Sequence, residues 1–219
     1  MKTLKTWAGA VAMLALTGAA QAALVSRPGG MVYDSTRNIM WLANMNVNGI
    51  MSWAAANDWA NNLLYGGFSD WRLPTLNPSD TTCSLNFNPG GGFPQQYFGF
   101  NCTGGELSGL FVTELGNKAN ESVLTQTGDT AEQIANLALF SNVQSDVYWS
   151  GTEYAPGPDL AWLFDTDVGS QNRVGKVNAL YAVAVRPGDV AASVPEPQTL
   201  ALALLALGAA VVARRKRPA

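Results

Sequence analysis

Apolar residues over positions 31–64 follow two different patterns, one typical of strands and one typical of a helix. The β-prone runs 31–34 and 39–43 flank a turn-like segment, 35–38, and therefore predict a β-hairpin. Ser52 is a favourable N-cap, and the apolar residues after it recur at helical spacing, which predicts a helix over 53–64. The predicted apolar face of this helix comprises Trp53, Ala56, Ala60, Leu63 and Leu64.

The second half of this region contains one more helical period and several strand-like runs. The second predicted helix presents Leu107, Leu110, Phe111 and Leu115, and Gly116 ends it. The segment 117–130 is polar and loop-like. Strands are predicted at 147–150, 161–165, 173–177 and 181–186. Two helices among short antiparallel strands and long loops predict an α+β domain.

Both ends of the chain carry targeting patterns. Lys2 and Lys5 precede a short apolar run and a small-residue cleavage site at 20–22, the layout of a secretory signal peptide over 1–22. Near the other end, the apolar segment 200–213 spans roughly 21 Å as a helix, which is short for a bilayer core of about 30 Å. The cluster that follows should stay cytoplasmic and leave the preceding domain outside. Its members are Arg214, Arg215, Lys216 and Arg217.

The triplet Pro195, Glu196 and Pro197 stands directly before this apolar segment. The order of triplet, short transmembrane helix and arginine-rich end over residues 194–217 resembles the PEP-CTERM sorting signal of Gram-negative bacteria. The resemblance implies processing by an exosortase after transient insertion into the inner membrane, followed by delivery to the cell surface or extracellular matrix. Proteins with this signal typically accompany exopolysaccharide and biofilm production. The alternative, a simple tail anchor, would not require the triplet.

The domain between the two signals, residues 23–190, is more acidic than the whole chain, whose formal charge is −3. Of the 13 lysines and arginines, two lie in the signal peptide and four in the tail, so seven remain. All but one of the 16 acidic residues remain, which leaves 15 and gives the domain a net charge of −8. This charge excludes nucleic acid as a partner, because nucleic-acid binding needs basic patches.

The chain has two cysteines and no histidine. In an exported protein, Cys83 and Cys102 predict one disulfide that closes a loop rich in glycine, proline and asparagine. A thiol nucleophile or a metal pair would need basic or imidazole neighbours. Without histidine, Ser-His-Asp and Cys-His mechanisms and histidine-liganded zinc are excluded. We therefore expect no cofactor and no enzymatic activity.

Asp165 and Asp167 offer the remaining candidate chemistry. On one strand face their side chains would lie about 7 Å apart, a spacing that some glycosidases use. The alternating oxygen ligands over 165–171 also fit a calcium loop, although Lys176 stands where such a loop has its bidentate acid. A solvated hairpin end is the interpretation that we favour over both.

Several motifs of the domain together resemble one family. They are the segments 32–34, 39–42, 67–75, 148–153, 161–162 and 181–187, of which Trp-Arg-Leu-Pro-Thr and Tyr-Trp-Ser are the most specific. The combination resembles the Lcl C-terminal domain family, also called DUF1566, which is named after a collagen-like adhesin. The resemblance implies a fold related to C-type lectins and to the formylglycine-generating enzyme domain. The sugar-binding triplets of calcium-dependent lectins are not found, and the acidic charge disfavours sulfated polymers.

In lectin-like folds, the loops near the final strands usually carry the ligand. The predicted ligand-binding residues are Trp149, Glu153, Tyr154, Asp165, Asp167, Asn172 and Arg173, although core packing is the simpler explanation for each taken singly. The leading hypothesis is a surface-sorted, non-enzymatic module that binds exopolysaccharide or another glycan. The alternatives are a structural or protein-interaction component of the biofilm matrix and, third, a glycan-acting enzyme with two carboxylates.

Overall fold

The computed structural model describes residues 23–190. The predicted signal peptide and the predicted sorting signal lie outside these residues. Among residues 23–190, no helix combines the length and the apolar character that crossing a bilayer requires.

Nine short strands and three short α-helices make up the described part of the chain. In chain order the strands are β1 (Leu24–Arg27), β2 (Met31–Asp34), β3 (Ile39–Leu42), β4 (Leu85–Phe87), β5 (Gln96–Phe100), β6 (Val147–Glu153), β7 (Leu160–Asp165), β8 (Ser170–Gly175) and β9 (Val185–Pro187). The helices are α1 (Trp53–Asn61), α2 (Glu106–Ser108) and α3 (Ala131–Leu137), and a π-helical segment (Gly109–Glu114) continues α2. This mixture confirms the predicted α+β class.

The strands form two antiparallel sheets, one with the order β1-β2-β3-β9 and one with the order β4-β5-β8-β7-β6. The predicted hairpin is confirmed in the first sheet, where Met31 pairs with Leu42 and Asp34 pairs with Ile39. In the second sheet, β5 lies beside β8 although a long stretch of chain separates them. The second sheet therefore brings the cysteine loop against the last strands of the domain.

Large aromatic side chains fill the space around the sheets. Trp41, Trp71, Trp149 and Trp162 are each at most 2% exposed. Phe111 of the π-helical segment stacks on Phe164 of β7, with ring centroids 5.4 Å apart and planes 7° from parallel. Burial of such side chains contributes about 1.5–3 kcal/mol each. The second predicted helical face is thus confirmed as a core-facing surface.

Helix α1 begins where the sequence predicts and ends earlier. The Ser52 side chain accepts a hydrogen bond from the Ala55 N–H, as an N-cap does. The Asn62 N–H still donates to the Asp58 carbonyl, four residues back, but the Asn62 backbone leaves helical geometry, with φ −99° and ψ 4°. The helix therefore stops at Asn61, and the Leu63 N–H donates to the Ala60 carbonyl, only three residues back. Leu64, predicted on the apolar face, is 74% exposed, so this part of the prediction is wrong.

Helix α3 and strands β1, β4 and β5 have no counterpart in the sequence-based prediction, which had two helices. Helix α3 is defined at its start by a capping box, in which Thr130 accepts from the Gln133 N–H and Gln133 accepts from the Thr130 N–H. The helix has seven residues, which is too short for a helical period to be recognised in the sequence, and its Ile134 is 59% exposed. Strands β4 and β5 lie inside the glycine-rich cysteine loop, where turn residues obscure the period.

The end of the Trp-Arg-Leu-Pro-Thr segment and the residue after it are hydrogen-bonded to an irregularity in β6, where the Gly151 N–H donates to the Pro74 carbonyl at 2.8 Å. Trp149 pairs with Leu163 and Glu153 pairs with Ala161, so β6 has extra residues between these pairs. One of them, Thr152, accepts the Leu76 N–H at 3.0 Å and donates its hydroxyl to the Leu76 carbonyl at 3.1 Å. These bonds join the irregularity of β6 to the chain that follows Thr75.

Candidate functional site

Four aromatic rings surround the guanidinium of Arg173 on β8. The guanidinium carbon lies 4.7 Å from the ring centroid of Phe87 and 5.0 Å from that of Phe98. It lies 5.0 Å from the ring centroid of Tyr154 and 5.9 Å from that of Trp162. All four distances are within the range of a cation–π contact. We call these five residues the arginine box.

Four different parts of the chain supply the rings. Phe87 of β4 and Phe98 of β5 form an edge-to-face pair with centroids 6.1 Å apart. Tyr154 directly follows β6 and packs edge-to-face on Trp162 of β7, with centroids 5.8 Å apart. Trp162 is also the cross-strand partner of Arg173. The antiparallel order of the sheet therefore assembles the box from residues that are distant in sequence.

Arg173 is the one cationic residue of positions 23–190 that has no carboxylate partner. The other six cations form ion pairs with nearby acids; they are Arg27, Arg37, Arg72, Lys118, Lys176 and Arg186. In a domain with 15 acidic residues, a free arginine is unexpected from composition alone. The aromatic rings take the place of a counter-ion.

The guanidinium of Arg173 is partly exposed, and its side-chain donors are unpaired in the described part of the chain. Its side chain donates no hydrogen bond to residues 23–190. The guanidinium nitrogens are not fully buried. The N–H groups of the guanidinium are therefore accessible to solvent. A planar guanidinium presents paired donors that match a carboxylate or another oxyanion at two points. Chemically, the arrangement can bind and orient an anionic group beside apolar rings.

A further cation of the second sheet lies over an aromatic ring outside the arginine box. Lys176 follows β8, and its ammonium lies 4.3 Å from the ring centroid of Trp53. Lys176 also forms an ion pair with Glu153, the exposed last residue of β6. This ion pair neutralises the carboxylate at the end of β6, so Glu153 is not the counter-ion of Arg173.

Among the predicted ligand-binding residues, Arg173 and Tyr154 meet in the arginine box, whereas Trp149 does not. Trp149 is fully buried, and its indole N–H donates to the Met51 carbonyl at 2.9 Å. Its ring has no free face for a sugar, so Trp149 is removed from the predicted ligand-binding set. Asn172 precedes Arg173 on β8 and its side chain therefore points to the opposite face of the sheet.

Asp165 and Asp167 lie at the turn between β7 and β8. The Asp165 carboxylate accepts the Asp167 N–H at 3.0 Å, and the Asp167 carboxylate accepts the Ser145 hydroxyl at 2.6 Å. Burial raises the pKa of Asp165, and the neighbouring Asp167 charge adds to this effect. Asp165 pairs with Ser170, three positions along β8 from Arg173, which is about 10 Å. These aspartates form a hairpin end that is separate from the arginine box.

One group of residues 23–190 has three potential metal ligands close together: Asp80, Cys83 and Cys102. The two cysteines form the predicted disulfide, so their sulfurs are not available as thiolate ligands. The Asp80 carboxylate accepts the N–H groups of Thr103 and Gly104 at 2.7 and 2.6 Å. This cluster therefore has a structural role beside the disulfide.

Phe87 and Phe98 were missed by the sequence-based prediction. Both lie between the two cysteines, in a segment of turn residues with little periodicity. The predicted disulfide could have indicated these two residues, because it brings the two ends of the loop together and so favours a hairpin between them. The position of that hairpin beside β8 is a long-range feature.

Comparison with protein families gives two matches. The model of the Lcl C-terminal domain matches residues 30–186, and the model of the PEP-CTERM protein-sorting motif matches residues 193–217. None of the curated proteins matches the chain. The sorting motif is the recognition signal of exosortase processing and implies export and sorting to the cell surface. Because the first match covers most of the chain, including every residue of the arginine box, the protein belongs to the Lcl C-terminal domain family.

Proposed function

We propose that this exported protein is a non-enzymatic glycan-binding module of the bacterial surface or extracellular matrix. Exopolysaccharide of the producing cell is the proposed class of ligand. The proposal includes a fold related to C-type lectins and the formylglycine-generating enzyme domain, which the family suggests. One observation carries it, namely the four aromatic rings of the arginine box around a cation that is open to solvent.

Aromatic rings beside a hydrogen-bond donor suit a sugar ring, which has both apolar C–H faces and polar hydroxyl groups. Phe87 and Phe98 are partly exposed and can contact a ligand, whereas Trp162 and Tyr154 are buried and support them. Ligand binding at such a site requires little conformational change, because the sheet and the disulfide hold the rings in place. The exosortase signal supports delivery of the domain to the place where surface glycans are found.

The hydrogen bonds of the two hairpin aspartates support a module without turnover. Asp165 and Asp167 are engaged with a backbone N–H and with the Ser145 hydroxyl, and they lie apart from the aromatic rings. The expectation that these aspartates form a solvated hairpin end without calcium stays a prediction, and a binding measurement with and without calcium tests it. If the domain binds no glycan, the alternative is a structural or protein-interaction component of the biofilm matrix.

The experiment is a glycan array that includes the producer's exopolysaccharide, probed with the exported protein and two phenylalanine variants. Phe98→Ala removes one ring of the box and should reduce glycan binding about tenfold or more. Phe93→Ala is the matched control, because Phe93 lies in the same disulfide loop, is 41% exposed and is not a member of the box. Equal binding by both variants, or no glycan binding by the wild-type protein, would overturn the proposal.

A further inference from the structure

We infer that Arg173 makes this module selective for glycans with widely spaced carboxylate groups, such as uronic acids that alternate with neutral sugars. The inference rests on the proposed function, because it assigns the ligand class of the same site. Its starting point is the pattern of ion pairs, in which six of the seven cations at positions 23–190 are neutralised and Arg173 is not.

The four rings of the arginine box hold the guanidinium in place and leave its hydrogen-bond donors unpaired. Contacts with the faces of aromatic rings stabilise the charge and restrict the side chain, while the N–H groups stay unpaired. An arginine restricted in this way loses little further freedom when it binds a carboxylate at two points. The rings also displace water on one side, which strengthens the charge-assisted hydrogen bonds.

The net charge of −8 determines which anions can approach. A densely sulfated polymer would bring several negative charges within one Debye length, about 8–10 Å, of the acidic surface. A single arginine can offset one of them, so the remaining charges would be repelled. A glycan with one carboxylate per two or more sugars places a single charge at Arg173 and neutral rings around it.

The ion pair of Glu153 with Lys176 removes one competing carboxylate. Glu153 lies at the end of β6, and its carboxylate is held by Lys176. Because this carboxylate is already neutralised, it does not compete with a ligand for Arg173.

The test uses the full chain recovered from the exporting host and pairs of oligosaccharides. The acidic member of each pair is a uronic-acid oligosaccharide, for example from hyaluronan, which has one carboxylate per disaccharide. The other member is the same oligosaccharide with its carboxyl groups reduced. Dextran sulfate is the densely charged probe. We expect the wild-type protein to bind the acidic member of at least one pair about tenfold or more tightly than the reduced member, and more tightly than dextran sulfate.

Two variants make this test specific for Arg173. Arg173→Gln should abolish the preference for the acidic member, and Arg173→Lys should restore part of it, because lysine keeps the charge and loses the two-point geometry. Arg27→Gln is the matched control, since it removes the same charge from the Asp189 ion pair and should leave the preference unchanged. Thermal unfolding of each variant verifies that the fold is retained.

The outcomes separate the two proposals. Equal binding of acidic and reduced glycans, with loss in Phe98→Ala, would overturn the carboxylate selectivity and leave the glycan-binding function standing. Tighter binding of dextran sulfate than of any uronic-acid glycan would also overturn the selectivity. Absence of binding to every glycan would overturn both.

Discussion

Arg72 and Glu106 are joined at two points: Nη1 of Arg72 donates to Oε2 of Glu106 at 2.7 Å, and Nη2 donates to Oε1 at 2.6 Å. The Thr75 N–H adds a third hydrogen bond to the same carboxylate, at 2.8 Å. Arg72 and Thr75 belong to the Trp-Arg-Leu-Pro-Thr segment, and Glu106 begins α2. One carboxylate therefore fixes the most specific motif of the family to the helix that follows the cysteine loop.

The Arg72–Glu106 pair should make stability depend on pH. Burial alone would raise the pKa of Glu106, but hydrogen bonds from Arg72 and Thr75 outweigh burial and lower this pKa below its usual value of 4.5. A carboxyl with a lowered pKa stabilises the fold above its unfolded pKa, and this contribution is lost as the pH falls through the folded pKa. We expect Glu106→Gln to lower the free energy of unfolding by about 1 kcal/mol at pH 7, because Arg72 is 38% exposed and water screens the pair.

Urea unfolding from pH 7 to pH 3 measures this difference. The free energies of unfolding of the wild type and Glu106→Gln should converge as the pH falls below about 4.5. Glu132→Gln is the control, because Glu132 is exposed in the first turn of α3 and its replacement should cost only a few tenths of a kcal/mol. A difference for Glu106→Gln that persists unchanged to pH 3 would contradict the role assigned to its carboxylate.

Gly109 is required by the side chain of Arg37. An added Cβ at Gly109 would lie 2.0 Å from Nη2 of Arg37, and the backbone of Gly109 is helical, with φ −64°. Alanine would otherwise be favoured there by up to about 1 kcal/mol. Arg37 donates to the fully buried Asp34 and also to Glu114, so displacing it leaves buried charge unpaired. We expect Gly109→Ala to cost about 3 kcal/mol.

A double-mutant cycle isolates this clash. In an Arg37→Ala background the guanidinium is absent, so adding Gly109→Ala should cost close to nothing. Chemical denaturation of the four proteins gives the coupling free energy, which we expect to be about 2 kcal/mol or more. If the two substitutions had additive effects on the free energy of unfolding, the requirement for glycine at position 109 would not come from the side chain of Arg37.

The disulfide should act on both stability and ligand binding. Cys83 and Cys102 are separated by 19 positions, and the chain-entropy estimate for such a loop is about 3 kcal/mol. Phe87 and Phe98 lie inside the loop, so loosening it also loosens one side of the arginine box. We expect reduction to lower the free energy of unfolding by about that amount and to weaken glycan binding. Unfolding and binding measured with and without a reductant test both effects, and unchanged binding would show that the box does not depend on the disulfide.

Trp149 should behave as a core residue. Trp149→Phe removes the hydrogen bond to the Met51 carbonyl and part of the buried ring, which should cost about 1–3 kcal/mol. Binding per folded molecule should stay unchanged, because the ring has no exposed face. Phe98→Ala should show the opposite pattern, with weaker binding and a smaller loss of stability. Weaker glycan binding by folded Trp149→Phe would return Trp149 to the ligand-binding set.

Local elements of the fold were predictable where a short pattern and its cap agree. The hairpin of β2 and β3 follows from two β-prone runs around a turn, and Ser52 marks the start of α1. Helix α3 was missed because its seven residues are too few to establish a helical period, although the capping residues Thr130 and Gln133 are visible in the sequence. The end of α1 was misplaced because Leu64 continues the helical period after the backbone has already turned.

The sequence by itself determined the α+β class, the disulfide, the family and the sorting signal, because each is encoded by residue type at short or fixed spacing. Only the tertiary structure decided the arginine box. Arg173 was among the predicted residues, but Phe87 and Phe98 reach it through the pairing of β5 with β8, which no local period encodes. Arg173 has no counter-ion because the nearby acidic residues of the fold pair with the six other cations or lie elsewhere. Long-range packing determines these ion pairs.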